Sequence, residues 1–152
     1  MVSINLQDLK KLRNETQASV SDCRIALEES AGDYKKALAW LKKRGIEKAE
    51  KKAERETSQG LVEAYIHQNG RVGALISILC ETDFVARTQE FKNLAHEIAM
   101  QICAMNPKDV ASLLKQEYIR DSSMTINDLI KSVIGKLGEN IVVKKFQRFE
   151  IG

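Results

Sequence analysis

The chain has 152 residues, of which 43% are hydrophobic and 30% charged, and its formal net charge is +3. These proportions are typical of a globular protein with its own buried core, and they exclude a disordered tail or a collagen-like fibre. The longest apolar run, Ala74 to Cys80, is interrupted by Ser77. It falls far short of the roughly 20 residues that a membrane-spanning helix needs.

The N-terminus and the cysteines predict a cytoplasmic protein. Polar residues such as Ser3 and Asn5 stand where an export signal would have a basic stretch and an apolar block. Cys23, Cys80 and Cys103 are odd in number and far apart, unlike the paired cysteines of a small secreted protein. We therefore expect three reduced thiols.

The first 45 residues predict three short helices. The first helix has leucines at intervals of three, at Leu6, Leu9 and Leu12. Ser19 and Asp22 are spaced as in a capping box at the start of the second helix. Asp33 begins a third helix, which is expected to end at Gly45 because glycine commonly terminates helices. Residues 1–45 are therefore predicted to form a small domain of their own.

The excess positive charge lies in residues 42–55, which hold seven basic and three acidic side chains. This pattern predicts a solvated helix or linker with Glu and Lys pairs, and we assign residues 46–58 to a charged helical linker. Contact with nucleic acid or the ribosome is the alternative. A nucleic-acid binder usually adds stacking aromatic residues, and only Tyr34 and Trp40 lie nearby, so direct nucleic-acid binding is not expected.

After residue 58 the hydrophobic pattern becomes that of strands. Residues 61–68 and 71–79 flank Asn69-Gly70, a dipeptide that adopts positive φ at both central positions of a tight turn. These residues predict a β-hairpin.

Two amphipathic helices follow the hairpin. The first begins at Thr88 and is stopped by Asn106-Pro107. The second begins at Thr125, which Asp128 complements as a cap, and ends at Gly138.

The last part of the chain predicts a third strand. Residues 141–151 are rich in Val, Ile and Phe, which favour strands. The fold class is therefore α+β, with a three-stranded antiparallel sheet packed with helices in residues 59–152. No structure is assigned to residues 107–124.

The residues that carry enzyme chemistry are absent or isolated. His67 and His96 have no ligand spacing to a cysteine or to each other, so no metal site is expected. No glycine-rich phosphate loop is present, and no cofactor is expected. Cys80, near Asp83, is the one candidate thiol nucleophile, but a cysteine that ends an apolar strand is more often a small buried side chain. The chain is predicted not to be an enzyme.

The segment Glu81–Arg87 connects the second strand to the long helix and has two interpretations. Phe84 and Val85 lie on a short connection, and exposed connections are often contact sites. Alternatively, Phe84 folds under the helix, because it precedes Phe91 by seven residues and continues the same stripe. Spacing alone favours burial.

Several segments together resemble the translation elongation factor Ts family. They are Leu-Arg-Asn-Glu-Thr at 12–16, Asp-Cys-Arg-Ile-Ala-Leu at 22–27, Gly-Asp at 32–33, Cys-Glu-Thr-Asp-Phe-Val-Ala-Arg at 80–87 and Gly-Glu-Asn-Ile-Val-Val at 138–143. The resemblance covers nearly the whole chain in the family's order. It implies an N-terminal three-helix domain like a ubiquitin-associated (UBA) module, a linker and an α+β core.

The resemblance also implies a function, which is guanine-nucleotide exchange on elongation factor Tu in its GDP-bound and nucleotide-free states. The residues that it implies for the partner contact are Thr82, Asp83, Phe84 and Val85, with Phe84 as a wedge in the GTPase domain. Arg13 and the loop that ends at Val20 are implied as a second contact.

The chain departs from the family pattern in two respects. Gln17 follows Thr16 where the family usually has glycine, and Val20-Ser21 replace residues that are often methionines. The chain is also short, because many members carry a second half-core and a coiled-coil insertion. A second copy of the chain can supply the missing half. Phe146 and Phe149, on opposite faces of the last strand, favour such a homodimer.

Overall fold

The structure is a computed structural model that describes residues 3–152. Within this range the chain forms seven helices and five strands, and none of these helices is both long and apolar enough to cross a membrane. The elements are, in order, α1 (Leu6–Thr16), α2 (Val20–Glu29), α3 (Tyr34–Lys51), β1 (Gln59–Ile66), β2 (Val72–Cys80), α4 (Asp83–Ala86), α5 (Gln89–Met105), α6 (Val110–Lys115), β3 (Glu117–Tyr118), β4 (Asp121–Thr125), α7 (Ile126–Leu137) and β5 (Ile141–Glu150).

The three predicted N-terminal helices are present, and each begins with a side-chain cap. Asn5, Ser19 and Asp33 accept hydrogen bonds from backbone N–H groups in the first turns of α1, α2 and α3. Their apolar faces form one hydrophobic cluster, whose buried members are Leu12, Cys23, Ala26, Leu27, Ala37 and Leu41.

Helix α3 is longer than predicted. It passes through Gly45 without ending and continues to Lys51. Gly45 lies where α3 crosses α7 and its backbone faces Gly135, so at this position α3 packs against another helix instead of ending. The expected linker therefore begins as the last turns of α3, and its Ala49 is buried in the second hydrophobic cluster.

The second cluster lies between the three-stranded sheet and the helices that follow it. The sheet has the order β1-β2-β5 and all its pairs are antiparallel, as predicted. The predicted β1–β2 hairpin is present, but its connection runs over residues 67–71. Gly70 has φ 70° whereas Asn69 does not have a positive φ, so the turn is wider than the two-residue turn that the sequence predicted. One face of the central strand packs against α5 through Ala74, Ile76, Ile78 and Cys80. The predicted α+β class is confirmed.

The caps predicted for the two core helices are also confirmed. The Thr88 hydroxyl accepts a hydrogen bond from the Phe91 N–H at the start of α5, and Thr125 with Asp128 forms a full capping box for α7. Residues 107–124, left unassigned from sequence, form α6 and the small β3–β4 hairpin. The fully buried Gln101 fixes this hairpin by donating to the Glu117 carbonyl and accepting from the Ile119 N–H.

Candidate partner-binding site

The residues after β2 form a single helical turn, α4, that is anchored on one side and exposed on the other. Thr82 caps the turn, and its hydroxyl accepts a hydrogen bond of 3.3 Å from the Val85 N–H. Val85 and Ala86 are buried in the core, Val85 to 5% exposure. Phe84, by contrast, is 81% exposed. The turn therefore holds an aromatic side chain in water on a backbone fixed by its neighbours.

The exposure of Phe84 overturns the burial that spacing favoured. Phe91 is fully buried, but Phe84 does not continue its stripe because α4 and α5 are separate helices. Thr88 has extended backbone angles, φ −70° and ψ 152°, and breaks the helical phase between them. In α4 it is Val85 that reaches the core, so Val85, expected at the partner surface, contacts its own chain instead.

Asp83 lies beside Phe84 on the exposed side of the turn. Its carboxylate is 2.6 Å from the Arg87 guanidinium, and both side chains are mostly exposed. An ion pair in this setting contributes little to stability, typically below about 1 kcal/mol. The Asp83 carboxylate is therefore able to exchange Arg87 for a donor on another molecule.

The turn is tied to the α7–β5 connection, which sequence analysis did not connect with it. The Glu139 carboxylate accepts hydrogen bonds from the backbone of Glu81 and Thr82 and from the Thr82 hydroxyl. Asn140 in turn donates its backbone N–H to the Glu81 carboxylate. These contacts join residues nearly 60 positions apart, and the only sequence signal was that residues 138–143 resemble a family segment.

Arg13 and Val20 lie in the N-terminal helices and share no hydrogen bond with the 82–86 turn. The Arg13 guanidinium donates to the Ala18 carbonyl at 2.7 Å and so fixes the α1–α2 loop. Gln17, in that loop, has φ 59°, a left-handed conformation that glycine adopts without strain. Val20, the first residue of α2, is exposed. The structure thus separates the predicted site residues into two groups.

Comparison with known sequences identifies the family of the chain. A sequence model described as Elongation factor TS matches residues 81–152. Proteins named elongation factor Ts from Caldanaerobacter subterraneus subsp. tengcongensis and Coprothermobacter proteolyticus are each 41% identical to this chain, and the matches cover 98% and 99% of it and 97% and 100% of those proteins. The elongation factor Ts of Rippkaea orientalis is 39% identical over 100% of this chain and 80% of its own. The chain belongs to the elongation factor Ts family.

The alignments with the Caldanaerobacter and Coprothermobacter relatives are longer than this elongation factor Ts family member itself. The alignment with the Caldanaerobacter protein is 194 residues long, whereas this chain has 152. The relatives therefore contain internal residues that this chain lacks. In this shorter chain, α6 and the β3–β4 hairpin connect α5 to α7.

Cys80 of this family member has the properties of a buried structural thiol. It is fully buried and its sulfur donates to the Thr82 carbonyl at 3.2 Å. Burial, with a smaller contribution from the Glu139 carboxylate, raises the pKa of the thiol from 9.0 to about 11. Because the thiolate is the nucleophile, these surroundings suppress the chemistry that the alternative thiol-enzyme hypothesis needs.

The basic segment 42–55 is partly engaged within the elongation factor Ts fold. Arg44, Lys48 and Arg55 form ion pairs with Glu47, Asp22 and Glu81, respectively. The two nearby aromatic residues, Tyr34 and Trp40, are half-buried against the N-terminal cluster.

Proposed function

We propose that this chain is a guanine-nucleotide exchange factor for elongation factor Tu, and that it promotes GDP release by inserting the Asp83-Phe84 turn into the GTPase domain of that partner. Family membership supports the choice of partner, since the relatives are named elongation factor Ts. The observation that carries the mechanism is the 81% exposure of Phe84 on a turn anchored by Val85. Interface anchors of this kind are rigid aromatic side chains that fill a pocket on the partner.

The proposed reaction changes no covalent bond and uses no cofactor. Phe84 enters between helices of the GTPase domain and disturbs the contacts of the partner with the Mg²⁺ ion and the phosphates of GDP. Burying one phenylalanine contributes roughly 1.5–3 kcal/mol. Every 1.4 kcal/mol of barrier changes a rate about tenfold. Phe84 alone therefore accounts for an acceleration of GDP release of about ten- to a hundredfold. The surrounding interface supplies the rest of the acceleration.

The other site residues take different roles in this proposal. Thr82 and Val85 hold the turn, the first as its cap and the second as its anchor in the core. Asp83 accepts hydrogen bonds from the partner in place of Arg87. Val20, exposed at the start of α2, and Arg13, which fixes the preceding loop, provide a second contact.

Thermodynamic linkage sets a condition on the exchange. Whatever weakens GDP binding to the partner is matched by an equal weakening of this protein's binding when GDP returns. The exchange reaction is therefore reversible, and the excess of GTP over GDP in the cell gives it its direction.

The direct test is to mix the purified protein with elongation factor Tu that carries a fluorescent GDP and to follow loss of the nucleotide. Catalytic amounts of the chain are expected to accelerate release, with excess unlabelled GDP present to prevent rebinding. Unchanged release, together with RNA binding that weakens steeply with salt, would instead favour the adaptor function of the basic segment.

We further propose that the chain forms a homodimer through the outer face of its sheet. Side chains on this face alternate with those of the core, and five of them are large, apolar and exposed, namely Val62, Ile66, Leu75, Val142 and Phe149. Phe149 is 67% exposed, while Phe146 packs inward against the core. Contiguous apolar patches of this kind mark interaction surfaces, and a symmetric pair would cover one copy's patch with the other's.

A further inference from the structure

We infer that Glu139 is a positioning residue for Phe84, acting through Thr82. This inference rests on the proposed exchange function, because it assigns Glu139 a part in presenting the aromatic side chain to the partner. Glu139 itself lies in the α7–β5 connection, outside the turn that carries Phe84.

The Glu139 carboxylate uses both of its oxygens on the start of the turn. Oε1 accepts from the backbone N–H of Thr82 at 2.9 Å and from that of Glu81 at 3.2 Å. Oε2 accepts from the Thr82 hydroxyl at 2.7 Å. The same hydroxyl oxygen accepts the N–H of Val85 and thereby caps α4. Glu139 therefore fixes the orientation of the group that begins the turn.

The position of Glu139 is itself fixed from both sides. Gly138 ends α7 in a left-handed conformation, φ 77°, which turns the chain toward the 81–82 segment. Asn140 is buried, and its side-chain amide donates to the carbonyls of Ala53 and Arg55 at 3.3 and 2.9 Å. The Asn140 N–H donates to the Glu81 carboxylate at 2.6 Å. Two reciprocal carboxylate contacts thus join the connection to the turn.

A support of this kind is needed because α4 is only four residues long. One helical turn fixes many backbone torsions for very few hydrogen bonds and is unstable by itself. A turn that fluctuated would have to be ordered again at each encounter, which would reduce the binding free energy available for exchange. The three hydrogen bonds that the Glu139 carboxylate accepts from Glu81 and Thr82 supply that order in the free protein.

Three substitutions separate the geometry of these hydrogen bonds from the charge. Glu139→Ala removes all three bonds, and Glu139→Asp keeps the charge but withdraws the carboxylate by one methylene. Glu139→Gln keeps the length: its carbonyl oxygen accepts from the two backbone N–H groups, and its amide donates to the Thr82 hydroxyl oxygen, which has a second lone pair for Val85. As a matched control, Glu63→Ala removes a glutamate of β1 that takes no part in this network.

The expected result is a loss of exchange that depends on Phe84. At a fixed low concentration of the chain, Glu139→Ala and Glu139→Asp lower the rate of GDP release about tenfold, the effect of losing about 1.4 kcal/mol. Glu139→Gln and Glu63→Ala stay within about threefold of the parent, since neither breaks the geometry. In a Phe84→Ala background, Glu139→Ala causes no further loss, because residues that act as one unit are not additive.

Hydrogen–deuterium exchange of the 81–90 segment provides a readout that needs no partner. Glu139→Ala and Glu139→Asp should speed exchange of the Val85 amide, while Glu139→Gln preserves its protection. Any of three results would overturn the inference. The first is that Glu139→Ala lowers exchange equally in the parent and in the Phe84→Ala background. The others are unchanged exchange activity in both Glu139→Ala and Glu139→Asp, and unchanged protection of the Val85 amide in these variants. A parent chain that fails to release GDP would refute the exchange function, and the amide measurement would still decide whether Glu139 holds the turn.

Discussion

Gly45 of α3 and Gly135 of α7 meet backbone to backbone. A Cβ atom on Gly135 would lie 3.0 Å from the Cα of Gly45 and 3.1 Å from its carbonyl oxygen. A Cβ atom on Gly45, in contrast, would meet nothing within 4 Å. The two glycines therefore share one helix crossing, but only Gly135 is sterically required there.

We predict that alanine affects stability differently at these two positions. Both substitutions gain the same helix propensity, about 1 kcal/mol over glycine. Gly135→Ala also pushes against the α3 backbone, and overpacking of this kind costs about 1–3 kcal/mol. In urea denaturation the free energy of unfolding of Gly135→Ala should therefore be about 1–3 kcal/mol lower than that of Gly45→Ala. Equal stabilities would contradict the close crossing.

Phe84→Ala should separate exchange activity from stability. The side chain is largely exposed, so we expect the thermal midpoint to change little and the rate of fluorescent GDP release to fall at least tenfold, roughly the loss of one buried phenyl ring at the interface. Phe91→Ala provides the contrast, because that ring is fully buried and its removal should cost about 3–5 kcal/mol of stability. Normal exchange by a folded Phe84→Ala chain would refute the wedge.

The three thiols should resist alkylation in the native protein. All three cysteines are buried, and at pH 8 a thiol with the pKa of about 11 of Cys80 is ionised to the order of one part in a thousand. Iodoacetamide should therefore label the native chain slowly and label all three positions rapidly in guanidinium chloride. Rapid labelling of native Cys80 would revive the thiol-enzyme alternative.

The same pKa shift has a consequence for stability. The folded chain holds the Cys80 proton more tightly than the unfolded chain, whose thiol titrates near 9.0. The tighter proton binding contributes to the free energy of unfolding. This contribution is fully present below pH 9 and is lost as the pH rises through about 11. Replacing Cys80 with alanine should flatten the decline of the thermal midpoint over this range. A decline unchanged by the substitution would assign it to other groups.

Phe149→Glu should dissociate the proposed homodimer. It places a charge in the exposed apolar face beside Ile66, since both residues pair with Gly73 of the central strand. Sedimentation equilibrium at micromolar concentration should give a dimer for the parent and a monomer for the variant. Ile25→Glu, at an exposed position of α2 far from the sheet in sequence, should leave the dimer intact. A parent chain at monomer mass would refute the dimer.

Local chemistry made much of the fold predictable from sequence. Asn69-Gly70 predicts the hairpin because both residues favour turns, although the turn is wider than expected. Thr125 with Asp128 defines a helix start because the cap lies within four residues. Gly45 was misinterpreted as a helix end because glycine is common at that position, and sequence alone does not show that α3 continues there and packs against α7.

The candidate site was less predictable than the fold. A four-residue helix has too few positions to show a period, so the opposite orientations of Phe84 and Val85 were not visible. The contact of Glu139 with Thr82 joins positions 57 apart in the chain, and its existence depends on how β2 and β5 pair. Such contacts follow from topology and leave no local pattern.

The unbroken run of α3 from one hydrophobic cluster into the other has a mechanical consequence. The helix buries Leu41 among the N-terminal residues and Ala49 in the core, only two turns apart. Because α3 is continuous between these anchors, folding of the chain sets the spacing of Val20 and Phe84. For the proposed exchange function, a partner would then meet the two proposed contact points at a preset separation and would need to align only once to engage both.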